Sequence, residues 1–108
     1  MRANGAITVR TMVADGEVAG HIAVFGAAPD REVTYVLGRS YWGQGIATAA
    51  LGEMIRLEQS RPLHADAAAD NLGSIRVLQK CGFVVTGTSR EFARARGQEI
   101  GLVHLILS

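Results

Sequence analysis

Apolar and polar side chains alternate in three runs over the first forty residues, with turn-forming residues between the runs. A period of two is typical of β-strands. Asp15-Gly16 suits a tight hairpin turn, because glycine reaches positive φ without a steric cost, and Gly20 indicates a bulge or a close approach of two backbones. The pattern predicts an antiparallel meander with strands at residues 6–13, 17–26 and 31–37 and a second turn at 27–30.

The period changes after Gly38. From about residue 46 to residue 59, apolar residues recur at spacings of three and four, which is typical of an amphipathic helix. Pro62 ends this segment, because proline cannot continue a helix. The face predicted to pack against the sheet carries Ile46, Ala50, Leu51, Met54, Ile55 and Leu57.

A second helix is predicted after a short strand at residues 63–68. Asn71 offers the helix an N-cap, and Gly82 stands where a left-handed C-terminal cap is needed. Two more strands are expected at residues 83–86 and 99–107, the last one apolar enough to lie inside a sheet. The basic stretch between them predicts a solvated loop that carries Arg90, Arg94, Arg96 and Gly97.

These elements predict an α+β fold in the order βββαβαββ, with one mixed, largely antiparallel sheet of about six strands flanked by two helices. The strand-helix-strand crossover from residue 31 to 68 should be parallel and right-handed. A chain of 108 residues forms one domain, here residues 1–108. Its 48% hydrophobic and 19% charged content excludes a disordered chain.

Charge and cysteine content narrow the possible partners. The formal net charge of +1 gives no general reason to expect nucleic acid or an acidic membrane as partner. A single cysteine, Cys81, excludes an internal disulfide and a Cys-rich zinc site, and we expect no metal. The sequence shows neither an apolar run of ~20 residues nor a secretory leader, so we expect a cytoplasmic protein.

A glycine-rich turn joins the third strand to the first helix. The first N–H groups of a helix lack partners within the helix, and aligned peptide dipoles place about +0.5 charge there. Gly43 and Gly45 remove side chains that would block an anion, so the turn is a candidate phosphate cradle. It lacks the Lys-Ser/Thr that ends a P-loop. A tight turn that needs glycine for its own geometry explains these residues equally well.

Asn71 and Ser74 lie one turn apart at the start of the second helix. Taken alone, they are explained by a cap and a first-turn residue. Together with the glycine-rich turn, the runs YVLGRSYWGQGIATAAL and NLGSIRVLQKCGFVVTG resemble the GNAT acyltransferase superfamily, in the branch of the ribosomal-protein N-acetyltransferases. The order and separation of the two runs match as well, and the resemblance covers the chain from about Ile7 to Leu107.

The resemblance implies acetyl-CoA as co-substrate and assigns its binding residues. The pyrophosphate would be held mainly by backbone N–H groups of the turn around Gly43. Asn71 would bond the pantetheine amides, and Arg76 would help to anchor the CoA end. One N–H of the third strand would stabilise the oxyanion of the thioester. The implied pyrophosphate residues are Gln44, Gly45, Ile46, Ala47 and Thr48, and those beside the pantetheine are Val36, Leu37 and Gly38.

The resemblance also implies direct attack of an amine on the thioester, which needs a base and a proton donor. Glu32 lies on the strand where the family often carries a glutamate, and His21 and His64 are rivals for the base. Ser74 is the implied proton donor to the thiolate, although hydrogen bonding to CoA suits a serine hydroxyl better. Two departures stand out: Leu78 replaces the tyrosine many members use as acid, and Trp42 opens the cofactor motif in place of Arg or Gln.

The family normally has a strand and two helices before the hairpin, and these wall the acceptor site. In the printed sequence the hairpin comes first. We therefore expect an uncovered sheet edge at residues 6–13 with apolar Ile7, Val9 and Val13. Such an edge predicts a homodimer, in which the second copy supplies the acceptor wall.

The leading hypothesis is an N-acetyltransferase that moves an acetyl group from acetyl-CoA to a primary amine, either a protein N-terminus or a small amine. The alternative is a reduced family member that binds CoA with little or no transfer. A phosphate-binding module unrelated to CoA requires the paired motifs to be coincidence. A nucleic-acid binder is weaker still, because the arginine cluster has no interleaved aromatic residues.

Overall fold

A computed structural model describes residues 7–108 of the chain. These residues form one six-stranded sheet in the order β1-β2-β3-β4-β6-β5, with two helices. The predicted α+β class and the order βββαβαββ are confirmed. The elements are β1 (Thr8–Ala14), β2 (Glu17–Phe25), β3 (Glu32–Leu37), a 3-10 turn (Arg39–Tyr41), α1 (Ile46–Leu57), β4 (Leu63–Ala68), α2 (Leu72–Lys80), β5 (Val84–Ala93) and β6 (Gln98–Leu107).

The first three strands form the predicted antiparallel meander. Asp15 and Gly16 both have positive φ, 52° and 80°, so the tight hairpin turn is confirmed. Gly20 is a site of close backbone approach, because an added Cβ would lie 2.0 Å from the carbonyl oxygen of Val36. The predicted first residue of β1, residue 6, lies outside the described part of the chain.

The strands β3 and β4 are parallel, as predicted, but they pair at a single position, Glu32 with His64. Beyond that pair the two strands diverge. β4 pairs instead with β6 over six positions, from Leu63–Leu107 to Ala68–Leu102. A gap between β3 and β4 therefore opens toward the C-terminal ends of both strands.

The two faces of the sheet differ. On one face, buried strand side chains pack with α1 and α2 into the core; we call this the helix face. Within residues 7–108, no helix covers the opposite face, which we call the open face. The helix face carries Met12, Ile22, Val24, Val33, Ala65 and Leu105, and the open face carries exposed Val9, Thr11, His21, Thr34, Val36 and Asp66.

A buried ion pair ties the start of β3 to the end of α1. Arg31 is 7% exposed, and its Nε donates to Glu58 Oε1 at 3.0 Å. Burial raises the pKa of Glu58, but hydrogen bonds from Ser60 and the Arg31 guanidinium outweigh this and lower it. The pair fixes the C-terminal end of α1, where Glu58 is the cap residue.

Two predictions about the second half of the chain are corrected. The predicted strand at 83–86 is much longer, since β5 runs to Ala93 and pairs with β6 along its length. Arg90 therefore lies in a strand and bonds Glu99 at 3.2 Å across the hairpin, while Arg94, Arg96 and Gly97 lie in the turn. Cross-strand pairing outweighed the polar composition.

The predicted packing face of α1 is confirmed in part. Leu51 and Met54 are buried, but Leu57 is 58% exposed because α1 ends there, two residues short of the expected end. No helix among residues 7–108 has the length and apolar character needed to cross a membrane. In the same residues, no cluster of three or more His, Cys, Asp or Glu side chains is arranged to hold a metal ion.

Candidate functional site

The gap between β3 and β4 presents backbone groups of β3. His64 N–H donates to Arg31 O at 2.9 Å, so odd-numbered residues of β3 direct their backbone groups toward β4. Gly38 N–H points the other way and donates to Ala19 O at 2.8 Å. By this alternation the N–H of Leu37 faces the gap, whereas that of Val36 faces β2.

The carbonyl oxygen of Leu37 is already engaged. Trp42 Nε1 donates to it at 2.9 Å, and the Arg39 guanidinium lies 5.3 Å from the centre of the Trp42 ring. This hydrogen bond thus connects the C-terminal end of β3 to the glycine-rich turn, which Trp42 precedes. Trp42, which replaces the usual Arg or Gln, therefore has a structural role here.

The N-terminus of α1 lies open. Gly45 is its N-cap with φ 78°, and no side chain caps this helix end. An added Cβ at Gly43 or Gly45 would meet no protein atom within 4 Å, so the space above the turn is free. The first-turn N–H groups of residues 46–48 have no intrahelical partner. Positive φ at both glycines explains the residue type, and the free space beside the helix end fits an anion.

The N-terminus of α2 is partly closed by its own side chain. Asn71 Oδ1 accepts from Ser74 N–H at 3.1 Å, which confirms Asn71 as the N-cap. The Asn71 side-chain NH₂ still has two hydrogens to donate. Ser74 Oγ lies 3.0 Å from Tyr35 Oη of β3. Arg76 is exposed on the following turn.

A hydrogen-bonded chain crosses three strands on the open face. Asp66 Oδ1 lies 2.7 Å from His104 Nδ1, and His104 Nε2 lies 2.8 Å from Ser89 Oγ. Asp66 lies beside the gap, two residues beyond the last β3–β4 pair. The sequence pattern does not predict this group, because alternation within each strand gives no sign that three strands align these side chains.

The predicted base candidates also lie on or near the open face. Glu32 occupies the last paired position of β3, before the gap opens. His64 Nε2 lies 3.0 Å from Pro29 O, and His21 is exposed opposite Val36 on β2. The two helix N-termini follow the two strands that flank the gap, so the fold groups the predicted phosphate and pantetheine residues around one opening.

Comparison with known proteins identifies the family. Residues 2–84 match the family model described as an acetyltransferase (GNAT) domain. The chain belongs to the GNAT acetyltransferase family. A curated relative of this GNAT domain, an uncharacterized N-acetyltransferase p20 of Bacillus licheniformis, is 32% identical over 74 residues. That match takes in 64% of this chain and 41% of the relative.

Solved GNAT structures share the fold. A ribosomal-protein-alanine N-acetyltransferase from Brucella melitensis superposes with a TM-score of 0.80 at 23% identity, covering 93% of this chain and 67% of that chain. The microcin C7 self-immunity acetyltransferase MccE, solved with acetyl-CoA and AMP, gives a TM-score of 0.80 at 18% identity, over 93% and 59%. At these identities the likeness is one of fold, and this domain spans only part of each relative's length.

Proposed function

We propose that this GNAT domain is an acetyl-CoA-dependent N-acetyltransferase acting on a primary amine. The observation that carries the proposal is the uncapped N-terminus of α1 beside the gap between β3 and β4. GNAT acetyltransferases take their acetyl group from acetyl-CoA, and this opening suits a diphosphate joined to a narrow, amide-bearing arm.

The turn before α1 is proposed to bind the pyrophosphate. The backbone N–H groups from Gln44 to Thr48, together with the positive end of the helix dipole, attract the anion. Gly43 and Gly45 leave the approach free. The pantetheine then lies in the gap beside residues 36–38, where its amide oxygens accept from the free side-chain amide hydrogens of Asn71 and the N–H of Leu37 is left for the thioester oxygen.

The N–H of Leu37 is the proposed oxyanion donor. Among residues 36–38 its N–H alone is directed into the gap, since Gly38 N–H is bonded to Ala19. A backbone donor fixed by a strand costs no reorganisation as negative charge develops on the thioester oxygen. Trp42 supports this geometry by holding the Leu37 carbonyl.

The amine is proposed to reach the thioester carbon from the open face, since α1 and α2 cover the other face. Two carboxylates stand on that side. Glu32 is the base implied by family resemblance, and Asp66 lies nearer the gap with one oxygen held by His104. Substitution of Glu32 by Gln and of Asp66 by Asn separates them, because loss of the base lowers kcat by about 10²-fold or more and leaves acetyl-CoA binding intact.

Thermal unfolding with and without acetyl-CoA tests the donor site directly. At a hundredfold excess over Kd, a ligand of the native state adds about 2.7 kcal/mol, which raises the melting temperature of a ~100-residue domain by more than 10 °C. ATP at the same concentration is the control. Stabilisation by ATP and not by acetyl-CoA would contradict the proposal and favour a general phosphate site.

A thiol-release assay over a panel of amines tests transfer. The panel includes peptides with free N-termini and small amines, the two proposed acceptor classes. CoA release that depends on an amine, with acetylated product by mass spectrometry, supports the enzyme. Acetyl-CoA binding without release on any amine supports the alternative of a CoA-binding domain with little or no transferase activity.

The edge strand β1 supports a homodimer. Val9 and Val13 are 56% and 61% exposed, and within residues 7–108 no strand pairs with the outer edge of β1. Antiparallel pairing of two β1 strands centred on Thr11 would set Val9 against Val13 of the second copy. Light scattering at micromolar concentration should give twice the chain mass, and Val9→Lys should give monomers. A stable wild-type monomer rules out the dimer.

A further inference from the structure

Two hydroxyl groups meet at the gap on the helix face. Tyr35 Oη and Ser74 Oγ lie 3.0 Å apart, and both side chains are half-buried. Tyr35 belongs to β3, while Ser74 lies in the first turn of α2, which follows β4 along the chain. The hydrogen bond therefore joins the two sides of the gap, two residues before Leu37 and its inward N–H.

The tyrosine keeps its proton at neutral pH. Partial burial raises the pKa of Tyr35 more than the hydrogen bond with Ser74 lowers it, and the neighbouring Cys81 raises it further. A hydroxyl group has one donor and two acceptor sites. When Tyr35 donates to Ser74 Oγ, the proton of Ser74 is free to point at a third group in the gap.

The other α2 side chains near Ser74 offer no hydroxyl or acid directed at the gap. Leu78 lies one turn beyond Ser74 on the same helix face, and it is apolar and 2% exposed. Burial raises the pKa of the Cys81 thiol, whose Sγ points to Thr48 O at 3.7 Å. Neither side chain therefore offers α2 a second acid in the gap.

A serine alone is a poor acid, because the alkoxide it leaves is strongly basic. The phenol of Tyr35, hydrogen-bonded to Ser74, avoids the alkoxide by delivering a proton to Ser74 Oγ as the serine gives up its own.

We propose that Tyr35 orients the Ser74 hydroxyl toward the departing thiolate and replaces the proton that Ser74 donates. This inference rests on the proposed acetyl-CoA-dependent transfer. The C–S bond of the tetrahedral intermediate breaks, and its electron pair goes to sulfur. The Ser74 proton passes to sulfur, the Tyr35 proton passes to Ser74 Oγ, and water reprotonates the phenolate. Tyr35 is thus a positioning residue that acts through Ser74.

The dependence on the leaving group separates this role from a structural one. Tyr35→Phe should lower kcat with acetyl-CoA by about 10²-fold and leave the Kd for acetyl-CoA within about twofold. With the acetyl thioester of 4-nitrothiophenol, whose thiolate leaves without protonation, Tyr35→Phe and wild type should have equal kcat/KM. Tyr41→Phe is the matched control, because among residues 7–108 the Tyr41 hydroxyl bonds only the exposed Glu17, at 3.4 Å.

A double variant completes the test. Ser74→Ala should show the same dependence on the donor, and adding Tyr35→Phe to it should cause no further loss, because the two hydroxyls act as one unit. Equal losses of Tyr35→Phe with both donors, or no loss with acetyl-CoA, would overturn the inference while leaving the transferase proposal standing. A wild-type domain that binds acetyl-CoA but acetylates no amine would instead remove the proposed function, and this inference with it.

Discussion

The two helix N-termini beside the gap are alike in position and differ in their capping. α1 begins at Gly45 with no side-chain cap and with free space around the turn. α2 begins at Asn71, whose carboxamide oxygen occupies the N–H of Ser74. Both ends carry the same partial positive charge from the helix dipole, but only at the second does a side chain occupy a first-turn N–H.

This difference shows how a protein separates stability from binding with one structural device. A side-chain cap stabilises a helix by about 1 kcal/mol, and it uses a donor that would otherwise be free for an anion. At α1 the domain forgoes that stabilisation, and the buried Arg31–Glu58 pair holds the other end of the helix. At α2 the cap is kept, and the side-chain NH₂ of Asn71 remains available for hydrogen bonding.

The largest expected effect comes from blocking the free helix end. Gly45→Glu places bulk and negative charge where the pyrophosphate would bind, and we expect acetyl-CoA affinity to fall by more than about 100-fold. Calorimetric titration measures this. Gly97→Glu is the matched control, since Gly97 also has positive φ and free space but lies in the β5–β6 turn. Normal binding by a folded Gly45→Glu variant would place the anion site elsewhere.

Removal of the anchor at the other end of α1 should cost stability. Glu58→Gln loses a charged hydrogen bond that contributes about 1.5–3 kcal/mol, which lowers the melting temperature by about 10 °C. Because the folded-state pKa of Glu58 is lowered, the stabilisation is complete above its ordinary pKa of 4.5 and is lost as pH falls through the folded-state value. The wild-type advantage in melting temperature over Glu58→Gln should therefore shrink below that pH; a constant difference would contradict it.

Two variants of Asn71 separate its cap from its amide hydrogens. Asn71→Ala removes both, and should cost about 1 kcal/mol of stability and about tenfold in acetyl-CoA affinity. Asn71→Asp keeps the capping oxygen, so the melting temperature should be retained while affinity still falls. If Asn71→Asp binds as wild type does, the side chain acts only as a cap.

The smallest effect is expected at Arg76, which is exposed on α2. Arg76→Ala should weaken acetyl-CoA binding about two- to fivefold at low salt, and the difference should vanish near 1 M salt because exposed charges are screened. Lys80→Ala, at the far end of the same helix, is the control. An effect that persists at high salt would point to direct hydrogen bonding in place of long-range attraction.

Short-range sequence signals were enough to predict much of the secondary structure of this domain. The period of two and Asp15-Gly16 predicted the meander, Asn71 and Gly82 predicted the ends of α2, and the glycines predicted the open helix terminus. These features depend on φ values, on hydrogen bonds within a few residues and on side-chain periodicity, which any short stretch of sequence carries. The length of β5 was missed because pairing with β6 overrode its polar composition.

Sequence alone therefore determined the element order, the cap of α2 and the uncapped glycine turn before α1. The signals for these features are side-chain periodicity and residues within about one helical turn of each other. Tertiary structure decided where β3 and β4 separate, and it brought together Tyr35 with Ser74 and Asp66 with His104. The members of these pairs are 39 and 38 residues apart. No local period encodes such contacts, because they follow from which strands become neighbours and at what register.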